Sequence, residues 1–203
     1  MSDFKLYYFP FKGRAEPIRI LFAYKGIKYE DIRIPKDKWL EFKPQTPFGS
    51  MPVLEEGGKK LGGSLVVLRY LAEKPEFGAA GSNAWENAWL ANIADFVNDF
   101  SNELIKVVFE KDEDKKKELD AKFIAETVPK YLGRLNEMAT STGYLCCNRL
   151  TYPDIFLYYM IIGIAQQRPQ VLESYSGLLQ LISNVESDPN IAKWLKERPQ
   201  TDI

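Results

Sequence analysis

A pair of tyrosines, a cluster of aromatic residues and one arginine near the N-terminus have the types and spacing for chemistry. The segment Lys5-Leu-Tyr-Tyr-Phe-Pro-Phe-Lys-Gly-Arg-Ala-Glu-Pro-Ile-Arg19 opens as an apolar, β-forming run from Phe4 to Phe9 that breaks at Pro10. A short basic loop follows, and Ile18, Leu21 and Phe22 then recur at helical spacing from about Arg14 to Tyr24. A strand that feeds a helix N-terminus offers unpaired amide N–H groups and the positive end of a dipole to an anion. With Tyr7 or Tyr8 at the strand end and Arg14 opening the helix, this corner has the phenol donor and the helix terminus needed to hold a thiolate. Taken alone, the segment favours the plainer reading, an edge strand whose tyrosine only packs.

Composition removes most competing chemistries. The 203 residues include no histidine. Ser-His-Asp and Cys-His catalysis, His-ligated zinc and haem, and histidine general bases are therefore excluded. Charge is nearly balanced, 27 basic against 28 acidic residues. No basic field recommends a nucleic acid, and no single-sign tail suggests a charged partner. A hydrophobic content of 45% with 12 Phe, 11 Tyr and 4 Trp is ample for a core, in one large domain or two small ones.

The two cysteines are neighbours, Cys146 and Cys147. Adjacent cysteines bridge rarely, because the geometry is strained, and the sequence has no distant partner or Cys-x-x-Cys motif for them. They read as an inert buried pair, with a modifiable thiol as the alternative. The sequence carries no signal-peptide pattern and no apolar run of membrane-spanning length, so the expected location is cytoplasmic.

The elements that would position the tyrosine corner lie in the first part of the chain, which changes character near residue 75. Lys28 to Ile34 reads as a second strand; Met51 to Leu54 and a piece around Lys60-Leu61 read as two more, joined by Glu56-Gly57-Gly58. Ser64 then reads as the cap of a helix carrying Leu65, Leu68 and Leu71. The order is β-α-β-α-β-β-α. Lys74 to Ser82 is a connector, and beyond it the periodicity is helical throughout: Leu90, Ile93, Val97, Phe100, Leu104 and Val107 keep 3–4 spacing. Lys111 to Lys117 reads as a solvated corner and helix start, and Pro129 as a kink or interruption. Leu178 to Val185 marks another helix, and Asp188-Pro189 begins the last. Thr151-Tyr-Pro-Asp154 after Leu150 is a capping box with a hydrophobic staple, a folding device worth on the order of 1 kcal/mol or more. Before Pro52 the peptide bond can take either isomer; trans is favoured by its frequency, cis would fix a sharp turn.

In order along the chain, the Tyr-Phe-x-x-x-Gly-Arg-Ala-Glu segment, the Trp39…Lys43 spacing, Thr46-Pro-Phe-Gly-Ser-Met-Pro-Val-Leu54, Ser64-Leu-x-x-x-Arg69-Tyr70-Leu71, Asn98-Asp99-Phe100 and Gly143-Tyr-Leu…Leu150-Thr-x-x-Asp154 resemble glutathione transferases. The likeness runs from residue 4 to Asp202 and is strongest to the sigma class, which includes glutathione-dependent prostaglandin D synthases and lens crystallins. It implies an α+β fold: a thioredoxin-like, glutathione-binding domain over residues 1–75 and an all-helical domain over 83–203. It also implies a homodimer that takes glutathione as co-substrate.

Carried over residue by residue, Tyr8 matches the tyrosine that donates to the glutathione sulfur, and Arg14 supports the thiolate or the tyrosine. Tyr7 would face the other side of the strand. Trp39 and Lys43 match residues at the glycine carboxylate. Met51, before the family's cis-proline Pro52, matches the backbone partner of the cysteinyl unit, with Ser50 beside it. Ser64, after Gly63, matches the residue that receives the γ-glutamyl carboxylate, and Asp99 the aspartate that reaches into the opposite subunit's site. The apolar substrate site is expected between the Phe9–Gly13 loop and the helical domain, with Phe9, Phe11, Gly13, Ser101, Phe156, Met160 and Ile203 as lining residues.

Departures from the family pattern matter too. Gly63 stands where a glutamine is usual, which removes an amide contact worth roughly 0.5–1.5 kcal/mol. Ser50 replaces a longer polar or basic residue, and Tyr152-Pro153 replaces Trp-Ala. Neither the tryptophan nor the basic residue of prostaglandin synthases stands at the apolar wall. The expected function is conjugation of glutathione to small hydrophobic electrophiles, with peroxide reduction and prostaglandin isomerisation as further family activities. The alternative is a non-catalytic ligand carrier or crystallin-like protein on the same fold.

Overall fold

The protein is described by a computed structural model that covers residues 3–201. Its chain packs as two compact units: one runs to Ala79 and takes up the segment from Ser187 onward, the other is Ala80–Glu186. The helical domain was expected to run from 83 to 203. Residues from Ser187 onward instead pack with the sheet-bearing unit, because the last helix lies against the first one of that unit.

In the first unit, β1 (Phe4–Tyr8) leads through a 3-10 turn (Gly13–Ala15) into α1 (Glu16–Tyr24). Then come β2 (Glu30–Arg33), the short helix α2 (Trp39–Phe42), β3 (Val53–Glu56), β4 (Lys59–Gly62) and α3 (Ser64–Glu73). The sheet order is β2-β1-β3-β4, with β1 parallel to β2 and antiparallel to β3, and β3 antiparallel to β4. Strands alternate their side chains, and β1 buries Phe4, Leu6 and Tyr8 while Lys5 and Tyr7 take the other face. The buried face of α1 (Ile18, Leu21, Phe22) and that of α3 (Val67, Leu68, Leu71) supply the rest of this core. The rings of Phe4, Phe22 and Phe77 meet edge-on at 5.4–6.0 Å.

Ser64 does not cap α3. It is the first helical residue, and the cap position belongs to Gly63, at φ 93° and ψ 119°. A positive φ there is open to glycine without the clash a Cβ would bring, and the preceding Gly62-Gly63 pair allows the chain to turn from β4 straight into the helix.

The second unit holds α4 (Ala84–Val108), α5 (Glu113–Lys122), α6 (Val128–Ala139), α7 (Tyr152–Gln167) and nearly all of α8 (Ser176–Ser187). Pro129 interrupts nothing after it: the irregularity lies just before, as a π-helical stretch over Phe123–Thr127, and the proline sits in the first turn of α6 where its missing N–H costs least. Asp112 caps α5 at the charged corner, and the side chain of Asp188 caps the last helix, α9 (Pro189–Glu197). α4 packs against α7, whose start is the capping box. Asp154 accepts from the Leu145 N–H at 2.7 Å, the Thr151 N–H at 2.8 Å and the Thr151 hydroxyl at 2.5 Å, all buried. Among the described residues no helix is long and apolar enough to cross a membrane.

Candidate active site

The registers of the sheet place most of the expected residues of the first unit at one end. Tyr7 lies opposite Val53, so Tyr8 comes level with Pro52, and Val53 in turn lies opposite Gly62. The Gly63 N–H donates to the Pro52 carbonyl at 3.3 Å, which puts the start of α3 beside the start of β3. The Met51–Pro52 bond is cis. Thus Tyr8, Met51, Pro52, Gly63 and Ser64 converge from three strand ends. Phe9 extends the cluster: its ring stacks on Phe11 at 5.5 Å and meets Trp39 edge-on at 5.6 Å. Lys43, in the 3-10 turn after α2, runs its stem along Gly49, next to the exposed Ser50.

Alternation along β1 decides between the tyrosines. Tyr7 donates its hydroxyl to Glu55 at 3.0 Å and stacks on Phe42. Burial and the neighbouring Glu55 carboxylate push its pKa up to about 12. Its proton is already committed. Tyr8 differs in the one respect that matters, because its oxygen accepts a hydrogen bond from the Arg14 backbone N–H at 3.0 Å and its own O–H remains available to a ligand. Burial raises its pKa, and the Arg14 N–H with the positive charges of Arg14 and Arg19 offsets this only in part. Tyr8 is therefore a phenol at neutral pH, a hydrogen-bond donor and not a base.

Arg14 contributes through its backbone; its side chain is exposed. The close approach of that backbone to Tyr8 depends on Gly13, at φ 43°. A Cβ there would stand 2.6 Å from the Tyr8 oxygen and 2.9 Å from the Phe11 ring. Gly13 is thus a structural requirement of the Tyr8–Arg14 bond.

A buried network beneath the corner was not legible in the sequence. Arg19 is fully buried, 5.9 Å from the Tyr8 ring. Its Nη1 donates to the carbonyls of Phe11 and Lys12 at 3.0 and 3.1 Å and to Glu16 at 3.2 Å, while its Nε donates to Asp31 at 3.2 Å. Glu16 also accepts from Trp194 Nε1 at 2.9 Å and from Arg198 at 3.0 Å. Arg19 therefore ties the loop after β1 to α1 and β2, and Glu16 ties both to the C-terminal segment. Helical spacing alone makes Arg19 read as a surface residue; only its position next to the apolar Ile18 and Ile20 hints otherwise.

In the second unit, Asp99 is exposed on α4, while Ser101 on α4 and Phe156 and Met160 on α7 are buried. Ile203 lies outside the described residues. What the first unit's corner can do chemically is clear from its donors: a neutral phenol and a helix N-terminus converge where a sulfur or oxygen anion would be stabilised.

Comparison with known proteins agrees. Residues 2–73 match the model of the glutathione S-transferase N-terminal domain, and residues 98–198 that of the glutathione S-transferase C-terminal domain. The chain is 34% identical over 203 residues to the mouse hematopoietic prostaglandin D synthase, with all of both chains covered. It is similar to a monomeric glutathione S-transferase of Necator americanus (Na-GST-3), at TM-score 0.92 and 32% identity over 100% of both chains. A Nu-class glutathione transferase of Haemonchus contortus superposes at TM-score 0.89 and 34% identity, again over 100% of both. Two family models in sequence and full-length relatives above 30% identity place the chain in the glutathione S-transferase family.

Proposed function

We propose that this protein is a sigma-like glutathione transferase that joins the thiolate of glutathione to small hydrophobic electrophiles. The observation that carries the reading is the Tyr8 hydroxyl, whose acceptor side is filled by the Arg14 N–H while its proton is left to donate. Free thiols are poor nucleophiles at neutral pH because little of them is ionised. Bound glutathione would lose its thiol proton to water, the Tyr8 O–H would donate to the sulfur anion, and the anion would attack the electrophilic carbon. The C–S bond forms as the carbon–halogen bond breaks and halide leaves, or, in an addition, as the π pair takes a proton from water. Holding the two reactants together supplies much of the rest of the acceleration.

The remaining contacts follow the carry-over. Trp39 and the exposed Lys43 meet the glycine carboxylate, Met51 pairs by its backbone with the cysteinyl unit, and Ser64 at the N-terminus of α3 receives the γ-glutamyl carboxylate. In the first unit, Phe9, Phe11 and Gly13 meet the apolar substrate.

Asp99 completes the site from a second copy of the chain, so the working unit is a two-fold dimer. Since Na-GST-3 is described as monomeric, sedimentation decides the point: a monomer at micromolar concentration with full glutathione binding would contradict the dimer. We place the protein in the cytoplasm, in keeping with its two unbridged cysteines.

Prostaglandin isomerisation is the second reading, favoured by the mouse relative's name; the wall residues carry neither tryptophan nor a basic group, which ranks conjugation first. A carrier without activity draws support from the amide missing at Gly63, but the φ of 93° gives that glycine a conformational reason of its own. Turnover of a chloronitrobenzene electrophile with glutathione tests the reading. Wild-type turnover that falls about 10²–10³-fold in Tyr8→Phe is expected; absence of turnover with intact glutathione binding would favour the carrier.

A further inference from the structure

The loop before α7 holds two thiols side by side in an unusual backbone. Successive side chains of an extended chain point apart. Here Cys147 (φ 62°) and Asn148 (φ 51°) both occupy the left-handed region, the chain folds back, and the Cys146 and Cys147 sulfurs lie 2.9 Å apart. Asparagine tolerates that conformation; for a cysteine it is uncommon. The turn is pinned on both sides. The Leu145 N–H bonds Asp154, the Tyr144 N–H bonds the Thr142 hydroxyl at 3.2 Å, and the Arg149 guanidinium bonds the Ala80 carbonyl. Both thiols are free and half-exposed, not buried as the sequence suggested. A left-handed, non-glycine residue held by its surroundings is a pointer to function.

We propose that Cys146 and Cys147 form a second binding site, a vicinal dithiol that captures trivalent arsenicals of the type R–As(OH)2. Each thiol condenses with one As–OH: an As–S bond forms, the As–O bond breaks, and the thiol proton leaves with the hydroxide as water. Two waters are released, arsenic stays trivalent and no oxidant is consumed. The chemistry suits these particular groups. Burial, the adjacent Cys146 and the Glu86 carboxylate 3.9 Å away push the Cys147 thiol up to about 12, so it remains S–H at neutral pH. Disulfide formation needs a thiolate to attack and would close a strained ring between neighbours. Condensation needs neither. A preformed pair also gains over glutathione, since release of one As–S bond leaves the arsenical held by the other.

The full reduced chain is titrated with phenylarsine oxide in excess glutathione, followed by intact mass and by counting remaining thiols. Expected is one arsenical per chain with loss of both thiols, stable to glutathione and reversed by a small dithiol. Cys146→Ser should weaken retention about a hundredfold. Cys147→Gly should do the same; glycine suits φ 62° and keeps the fold, and this variant should melt higher than wild type. Two arsenicals per chain, unchanged retention in either variant, or ready loss to glutathione would overturn the proposal.

Discussion

Two buried polar constellations, one in each unit, differ in a single respect. At the start of α7, Asp154 accepts three hydrogen bonds and its partners Thr151 and Leu145 are satisfied by it; the group is closed. At the end of β1, Tyr8 accepts from the Arg14 N–H and keeps an uncommitted proton; the group is open. A closed buried network stabilises a fold, whereas an open donor in a supported position is ready for a ligand. The same contrast separates Tyr8 from its neighbour Tyr7, whose proton is taken by Glu55. Changes to the closed group should therefore appear in stability, and changes to the open one in chemistry.

The support beneath the open group gives the largest expected effect. Arg19→Met would take the fully buried cation away from Glu16, which keeps Arg198 at 3.0 Å, and from Asp31, which keeps Arg33 at 2.8 Å, and would release the Phe11 and Lys12 carbonyls. A loss of about 3–5 kcal/mol in unfolding free energy is expected by denaturant titration. Because Arg19 positions the loop and does not touch the reacting atoms, the residual folded protein should also show a raised KM for the electrophile. A variant with full stability would break the claim that this network anchors the corner.

Asp154→Ala comes next. It removes a carboxyl that takes three donors, leaving the Leu145 and Thr151 N–H groups without it, and should cost about 2–3 kcal/mol while turnover per folded molecule stays near wild type. Its titration sharpens the comparison. Burial outweighs the donors and raises Asp154 from 3.8 to about 6. A folded-state pKa above the unfolded one means that the folded form holds the proton more tightly. The stability from this group is complete below the unfolded pKa and is lost as pH rises through about 6. Relative to Asp154→Asn, the wild type should gain up to roughly 3 kcal/mol between pH 8 and pH 4 in parallel chemical denaturation.

The smallest effect belongs to Gly63. Installing the family's glutamine offers an amide contact of about 0.5–1.5 kcal/mol. At φ 93° the new Cβ strains the backbone by a similar amount. Calorimetry should find glutathione affinity within a few-fold of wild type; a tenfold gain would show that the missing amide limits the site.

Local features of this molecule were legible in the sequence because neighbours in the chain carry them. The tyrosine corner, the capping box at Thr151, the Asp188 cap and the succession of strands and helices along the first unit all rest on short-range spacing. The Arg19 network was not, because Glu16 meets Trp194 and Arg198 almost the whole chain away, and periodicity cannot separate a buried charged residue from an exposed one. The cap of α3 was misplaced by one residue because serine is the commoner cap type, while the Gly62-Gly63 pair allows the left-handed turn that wins here. Nothing in the identity of Cys147 announces a left-handed residue, so its thiol read as buried and inert.

The central claim is that the Tyr8 O–H stabilises the bound sulfur as an anion. The most direct test is the ultraviolet titration of the thiolate of enzyme-bound glutathione, in wild type, Tyr8→Phe and Tyr7→Phe. Wild type and Tyr7→Phe should show the thiolate at neutral pH, and Tyr8→Phe should need a pH higher by about 2 units, the equivalent of roughly 3 kcal/mol. An unchanged thiol titration in Tyr8→Phe would contradict the account.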